Sequence, residues 1–326
     1  MAATASSAPK KRDPLKCADK NDGVARVFNH QYVNALQLQR KDTMFAVTGI
    51  TGQVGGAVAR TLLAKGCGVR AVVRNANKAG FWAKEGCEIA VADMYVAKSL
   101  ETAFLDSEGV FVMLPACFDP SPDFRESRAA ISAFRTALSE ANPPKIVCLS
   151  TIGAQSARPN LLGQLRILEQ ELSTLPMPVT FLRPAWYMEN FSWDISPASE
   201  TGVIPSFLQP LDKLFPMVAT EDVGSTAAEL LLDSWAGLRV VELEGPTRVS
   251  PKQVAEIIGK LLGRQVRMEI VPRDTWESLF LSQGMKNPTP RIQMLDGFNE
   301  GWIEFEGETH KGRITLKNVL ASMIDR

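Results

Sequence analysis

Residues 44–66, MFAVTGITGQVGGAVARTLLAKG, decide the fold of this chain. The stretch opens with an apolar run of strand length, and its later apolar residues recur every four positions, as on one face of a helix. Between them lie Gly49, Gly52 and Gly55. Strand, glycine turn and helix in this order predict an anion-binding loop, because a turn without Cβ atoms lets a phosphate reach free backbone N–H groups. A glycine triplet can also serve only packing, but the flanking strand and helix favour nucleotide binding.

The second predicted strand, residues 68–74, indicates which dinucleotide the loop would bind. Folds that prefer NAD place an acid about 20 residues after the loop to bind the ribose 2′-hydroxyl. Residues 44–84 contain no Asp or Glu, whereas Arg74 ends the strand and Lys78 follows it. A guanidinium attracts a 2′-phosphate that a carboxylate would repel. Arg74 and Lys78 could instead be a solvated pair, but their place after this strand favours NADP(H) over NAD(H).

Composition excludes several classes of function. The chain has 326 residues, zero formal net charge and 45% hydrophobic residues, which predicts a sizeable core and no attraction to nucleic acid. No apolar run approaches the ~20 residues that span a bilayer. Five scattered cysteines without a CxxC pair indicate reduced thiols and a cytoplasmic location. His30 and His310 lie outside any cluster with ligand spacing, so no metal site is predicted.

Residues 1–43 differ from the rest of the chain. Up to Asp42 they contain eight Lys or Arg residues and four Asp, and they lack the apolar run of a secretory signal. We predict a disordered extension. Its Lys10-Lys11-Arg12 cluster is either a nuclear address or simply solvated charge. The first strand begins so abruptly that translation could also start at Met44.

Strands and helices alternate after the glycine loop. Four more apolar strands are predicted, at residues 87–91, 109–114, 145–150 and 179–183, with helices between them. Apolar strands separated by helices are typical of a parallel sheet covered on both faces. We therefore predict an α/β fold whose doubly wound parallel sheet occupies residues 44–185.

The second half of the chain is more mixed. Four prolines predict an irregular segment at residues 196–217, and Ser250 is a plausible N-cap for a helix at 251–262. We predict a smaller mixed α/β substrate lobe in residues 186–326, interleaved with the first domain through sheet-completing segments near 217–245.

The densest aromatic run of the chain follows the sixth strand. Clustered aromatics are often core residues, but open α/β sheets bind ligands just past the carboxyl ends of their strands. The candidate substrate-pocket residues are therefore Trp186, Tyr187 and Asn190.

Several motifs, in this order, resemble the NmrA-like group of atypical short-chain dehydrogenases: TGITGQVGGAVARTLL, VVRNANKA, STIGA, TFLRPAWYMENF and VATEDVG. The resemblance spans nearly all of residues 44–326 and implies a Rossmann domain that binds NADP(H). It implies that the pyrophosphate is contacted by the loop residues Gly49, Thr51, Gly52, Gln53 and Val54, with Gly55 in the same loop. It further implies that Arg74 and Lys78 contact the 2′-phosphate and that Asp93 and Met94 contact the adenine. Leu114 and Pro115 would line the nicotinamide side. Asp93 could equally cap the following helix.

One departure from the family pattern concerns catalysis. Catalytic short-chain dehydrogenases use a Tyr as general acid and a Lys four residues later. Residues 160–169, NLLGQLRILE, contain neither. Leu165 aligns with the Lys, and the neighbouring Arg166 could touch the ribose but cannot relay a proton near neutral pH. Chemistry by a Tyr–Lys dyad is therefore not expected.

Two functions remain. The first is an NADPH-dependent reductase that transfers a hydride to a quinone or similar small electrophile, with Thr151 and Tyr187 as the available hydroxyls. The second is a non-catalytic NADP(H) sensor that acts through a protein partner. The missing dyad favours the sensor, and the aromatic approach to the nicotinamide favours the reductase, which we rank first. A sugar epimerase or dehydratase needs the dyad and ranks last.

Overall fold

The computed structural model of the protein describes residues 43–325. The predictions for the N-terminal extension, its Lys10-Lys11-Arg12 cluster and a start at Met44 concern residues that lie outside this described part. Its strands are β1 (Met44–Thr48), β2 (Gly68–Val73), β3 (Glu88–Val91), β4 (Gly109–Val112), β5 (Ile146–Leu149), β6 (Val179–Pro184), β7 (Trp186–Tyr187), β8 (Val203–Ser206), β9 (Met217–Val218), β10 (Leu238–Glu244), β11 (Arg267–Ile270) and β12 (His310–Lys311).

Helices connect most of these strands. They are α1 (Gln53–Ala64), α2 (Gly80–Lys84), α3 (Ala97–Phe104), α4 (Arg125–Ala141), α5 (Gly163–Leu172), α6 (Ile195–Thr201), α7 (Thr220–Leu232), α8 (Pro251–Leu262), α9 (Trp276–Ser282), α10 (Thr289–Glu300) and α11 (Leu316–Ile324). Short 3₁₀ helices cover Ala76–Lys78, Met188–Asp194 and Arg273–Thr275.

The main sheet has eight strands in the order β12-β10-β6-β5-β4-β1-β2-β3, and every neighbouring pair is parallel. The strand order reverses between β1 and β4, which creates a crevice at the carboxyl ends of these strands. The predicted α/β doubly wound parallel sheet, a Rossmann fold, is confirmed. β8 pairs with β11 and β7 with β9 in two small parallel ribbons.

Helices cover both faces of the main sheet. On one face, the apolar residues of α1 and α7 form a core with alternate residues of β1, β2 and β10. On the other face, the apolar residues of α3, α4 and α5 form a second core, mainly with residues of β4, β5 and β6. α7 crosses α1 so closely that a Cβ atom on Gly224 would lie 2.3 Å from the Ala57 Cβ. Only glycine permits this approach, so α7 packs closely against α1, the helix that follows the glycine loop.

A third core lies in the C-terminal half, where α6, α8, α9, α10 and α11 pack around residues such as Trp276 and Phe280. Ser250 caps α8 as predicted, since its hydroxyl accepts from the Gln253 N–H in a capping box. β10 and β12 nevertheless belong to the main sheet. The boundary between residues 185 and 186 stays a prediction.

The expectation of an irregular segment at residues 196–217 holds for residues 207–216, which form no helix or named strand, and is wrong for the rest. The chain there forms α6, β8 and β9. Pro197 lies in the first turn of α6, where a helix does not use its N–H groups. The sequence also did not predict α10, which carries Pro290 in its own first turn. In both helices proline marks the beginning rather than a break.

No helix among residues 43–325 is long and apolar enough to cross a membrane.

Candidate functional site

The glycine loop lies at the crevice between β1 and β4. Thr48 is the last residue of β1. Its buried hydroxyl joins β1 to β4, because it donates to the Phe111 carbonyl at 3.0 Å and accepts from the Met113 N–H at 2.9 Å. Gly49 follows with a φ of +64°, in the left-handed region. A Cβ there would lie 2.0 Å from the Met113 Cε, so the turn passes directly beneath the end of β4.

The first turn of α1 completes a cradle for an anion. A Cβ on Gly55 would lie 2.3 Å from the Gly49 carbonyl oxygen, so only glycine lets the helix approach the loop. The backbone N–H groups of Gln53, Val54 and Gly55 donate to no acceptor within residues 43–325. Thr51 is exposed, as are Gly52 and Gln53. Free donors at an open helix N terminus fit a dinucleotide pyrophosphate.

Two unpaired cations lie after β2. Arg74 and Lys78 are exposed, and neither makes a hydrogen bond or ion pair with a residue that the structure describes. Arg70, which lies within β2, is by contrast paired, because its Nε lies 2.7 Å from Glu88 Oε1. The Asn75 side chain accepts from the Asn77 N–H and shapes the short 3₁₀ turn that ends at Lys78. The two cations thus remain available for a 2′-phosphate.

The residues predicted to meet adenine and nicotinamide follow β3 and β4. Asp93 is exposed and does not cap α3, because its Oδ1 accepts from the Tyr95 N–H at 2.9 Å. The adenine contact of Asp93 and Met94 stays a prediction. Leu114 is buried and Pro115 half-buried, just past β4.

α5, which contains neither Tyr nor Lys, presents a carboxylate to Ser150 and Arg183. The buried Ser150 hydroxyl donates to Glu169 Oε1 at 2.5 Å. Arg183 on β6 donates to both Glu169 oxygens, at 2.9 and 2.7 Å, and to Glu306 at 2.8 Å. Burial alone would lower the Arg183 pKa, but the bonds to Glu169 and Glu306 outweigh it and raise that pKa. Arg166, half-buried on α5, has no such bond to any described residue.

Sequence reasoning missed this ion cluster, although one signal pointed to it. Arg183 is the one charged residue in a buried strand, VTFLRP. A buried cation requires an anionic partner, and a carboxylate on a neighbouring helix can supply one. Glu242 on β10, 3.6 Å from Arg183, could be found only from the fold.

The two candidate hydroxyls have no hydrogen-bond partner in the described part of the chain. Thr151 follows β5 and is half-buried. Burial, with a smaller contribution from Glu189, raises the pKa of the Tyr187 phenol, which therefore stays protonated at neutral pH. Asn190 is exposed.

Buried polar atoms without partners concentrate in the same region. Residues 43–325 contain five such side-chain atoms, and three of them belong to Gln155, Trp186 and Glu189, in the segments after β5 and β6. The Gln155 amide donates to a backbone carbonyl at 2.7 Å, but its Oε1 has no donor. Glu189 Oε1 accepts twice from Thr220, at 2.9 and 2.7 Å, whereas its Oε2 has no donor. Orphaned buried groups are costly and are often completed by a ligand or by water.

A family model described as NAD(P)H-binding matches residues 49–234, more than half of the chain. The chain belongs to the NAD(P)H-binding family. The resemblance to the NmrA-like group of atypical short-chain dehydrogenases is confirmed. The free N–H groups beside Gly55 and the unpaired Arg74 and Lys78 fit the phosphates of the dinucleotide that the family binds.

Individual relatives are distant. The NAD(P)H azoreductase of Xenophilus azovorans is 26% identical over 259 residues, which cover 79% of this chain and 85% of that protein. Prestalk A differentiation protein A of Dictyostelium discoideum is 26% identical over 250 residues, covering 74% and 77%. The NADPH-dependent quinone oxidoreductase QOR2 of Escherichia coli, complexed with NADPH, has a TM-score of 0.73 at 23% identity, covering 86% of this chain and 100% of that one. This structural likeness shows the shared fold.

Proposed function

We propose that the protein is an NADPH-dependent reductase of a quinone or a similar small electrophile, located in the cytoplasm. The observation that carries this proposal is the set of orphaned polar atoms on Gln155, Trp186 and Glu189. They lie past the carboxyl ends of β5 and β6, where open α/β sheets bind ligands. The names of the azoreductase and quinone oxidoreductase relatives support a small electron acceptor.

We assign the cofactor contacts to the cradle and its flanks. The N–H groups of Gln53 and Val54 would bind the pyrophosphate, and Arg74 with Lys78 would select NADPH over NADH through the 2′-phosphate. Leu114 and Pro115 would bound the nicotinamide side.

For hydride transfer the protein mainly has to position the cofactor and the electron acceptor next to each other. When bound, NADPH supplies a hydride, which with one proton converts a quinone to a hydroquinone. The indole N–H of Trp186 can donate to an acceptor oxygen, and the neutral hydroxyls of Thr151 and Tyr187 can donate as negative charge develops there. The proton can come from solvent, so a Tyr–Lys dyad is not required.

A second function, a non-catalytic NADP(H) sensor with a protein partner, is favoured by one observation. α5 carries no Tyr or Lys, and its Glu169 instead holds Ser150 and Arg183 in an ion cluster. A sensor needs the cradle but no acceptor pocket.

The deciding experiment combines an NADPH titration with NADPH consumption against quinones and carbonyl compounds. We expect binding together with turnover of at least one quinone. Thr51→Glu is the control, because it places a negative charge at an exposed position of the cradle and should abolish both. Binding without turnover of any acceptor would favour the sensor.

A further inference from the structure

Arg291, in the first turn of α10, is a half-buried cation without an anion. Its guanidinium lies 4.7 Å from the ring centroid of Phe280. It makes no hydrogen bond or ion pair with any residue between 43 and 325. Burial lowers the pKa of Arg291, and no nearby carboxylate opposes that effect.

Three other arginines have carboxylate partners, namely the buried Arg183, the half-buried Arg248 and the exposed Arg273, whereas the half-buried Arg166, like Arg291, has none among residues 43–325. Arg183 bonds Glu169 and Glu306, Arg248 lies 2.8 Å from Glu244, and Arg273 lies 2.6 Å from Asp296. The pKa of each of these guanidinium groups is raised by its carboxylates, against the effect of burial. A desolvated cation without a counter-ion is costly, so the difference at Arg291 points to an anion that the protein itself does not supply.

The backbone next to Arg291 is connected with the loop that follows β4. The carbonyl of the neighbouring Pro290 accepts from the Leu161 N–H at 2.9 Å. The buried Gln164 side chain donates to the Leu161 carbonyl at 3.1 Å and to the Cys117 carbonyl at 3.3 Å. Cys117 belongs to the loop after β4 that carries Leu114 and Pro115. This chain of hydrogen bonds holds the start of α10 against the loop on the nicotinamide side.

A second set of hydrogen bonds connects the loop after β4 with the segment that precedes α10. The Asp119 carboxylate, also in the loop after β4, accepts from the backbone N–H groups of Lys286 and Asn287 at 2.9 and 2.8 Å. The Asn287 side chain donates to the Pro120 carbonyl at 2.9 Å. The segment that leads into α10 is therefore anchored at two places.

We propose that Arg291 binds a carboxylate or sulfonate group on the electron acceptor, so that the protein prefers anionic electrophiles. This inference rests on the proposed reductase function. A guanidinium matches the oxygens of either anion with two parallel hydrogen bonds. The Phe280 ring, 4.7 Å from the guanidinium, stabilises the cation without accepting a conventional hydrogen bond, and the guanidinium N–H groups have no acceptor among residues 43–325.

A matched pair of acceptors tests the proposal: 1,2-naphthoquinone-4-sulfonate and the neutral 1,2-naphthoquinone. Arg291→Met keeps an unbranched, largely apolar stem and removes the charge. We expect it to lower kcat/KM for the sulfonate by about 10- to 100-fold, the range for a hydrogen-bonded charge, with little change for the neutral quinone. Arg291→Lys should recover part of the loss.

Arg273→Met is the matched control, because it removes the same charge from a guanidinium that Asp296 already pairs. Its two kcat/KM values should keep their wild-type ratio. Equal loss on both acceptors in Arg291→Met, or no loss on either, would overturn the proposal. So would a comparable change of the ratio in Arg273→Met, since a long-range charge effect would then explain it.

An equilibrium measurement separates this inference from the reductase function. If the wild-type protein turns over neither quinone, the proposed function has failed. Calorimetric titration of the NADPH-loaded protein with both compounds then decides about Arg291. Tighter binding of the sulfonate that Arg291→Met abolishes supports the anion site, whereas equal affinities in wild type and variant refute it.

Discussion

The cradle around the glycine loop and the acceptor region after β5 and β6 are built in different ways. The cradle is made of backbone from one short stretch, residues 48–55, and the groups that we propose to bind the anion are main-chain N–H donors. The proposed acceptor region is made of side chains from segments far apart in sequence, such as Gln155 and Trp186, and we propose that Arg291 contributes to it. The cradle is therefore local and preformed, whereas the acceptor region depends on tertiary packing and leaves polar groups without partners.

Gly55→Val would break the cradle with the largest expected effect. The added side chain would begin 2.3 Å from the Gly49 carbonyl oxygen and push α1 away from the loop. We expect loss of detectable NADPH binding and a destabilisation of about 1–3 kcal/mol, the range for overpacking. Calorimetry and urea unfolding measure both. Gly80→Ala, at a position with open space around the Cβ, should change neither.

Glu169→Gln tests whether the ion cluster beside the acceptor region is structural. The substitution weakens the bidentate bond to Arg183, which is buried, and leaves that cation with Glu306 and Glu242. We expect a loss of about 3 kcal/mol in the free energy of unfolding, the lower end of the range for breaking a buried pair. The affinity for NADPH should stay within about twofold, because the cradle lies elsewhere. A large loss of affinity with normal stability would contradict the separation of the two regions.

Arg74→Glu sharpens the account of the cradle by testing its cofactor preference. A carboxylate at this exposed position would repel a 2′-phosphate and could accept from a 2′-hydroxyl. We expect the affinity for NADPH to fall by about 100-fold and that for NADH to stay the same or rise. Lys84→Glu makes the same charge change at another exposed residue and should alter neither affinity. Equal losses for both dinucleotides in Arg74→Glu would refute the 2′-phosphate assignment.

Substitution of Asp194 should have the smallest effect, a change in stability that depends on pH. It ends the 3₁₀ helix Met188–Asp194 after the aromatic run, and burial raises its pKa to about 7. Because the folded protein binds this proton more tightly than the unfolded chain, stability decreases as pH rises from about 4 to 7 and does not recover above that.

Asp194→Asn removes that penalty. We expect the variant to be more stable than the wild type by about 1–3 kcal/mol near pH 8, and no more stable near pH 4, where the wild-type carboxyl is neutral. Thermal unfolding at the two pH values measures the difference. The same gain at both pH values would show that the carboxylate charge is not the cause.

The two regions also explain what the sequence could predict. The cradle was predictable, since the spacing of Gly49, Gly52 and Gly55 and the flanking strand and helix lie within one stretch. The parallel strands were predictable for the same reason. The assigned contacts of individual residues with the dinucleotide stay predictions.

The acceptor region was not predictable beyond its aromatic run. Arg183 and Glu169 lie 14 residues apart, on a strand and a helix, and Glu242 joins them only because β10 pairs with β6. Arg291 stands out only once its neighbours in the folded protein are known, and α10, which has Pro288 at its N-cap and Pro290 in its first turn, was not predicted from the sequence. Two-residue strands such as β12 carry no periodic signal at all.

The central claim is that the cradle and the acceptor region together make a reductase, and a single-turnover experiment tests it most directly. NADPH bound to the protein is mixed with 1,2-naphthoquinone-4-sulfonate, and the absorbance of the reduced nicotinamide is followed over time. We predict that the absorbance is lost faster than for NADPH and quinone without protein, and that Thr51→Glu abolishes this acceleration. Bound NADPH that is oxidised no faster than free NADPH would contradict the account.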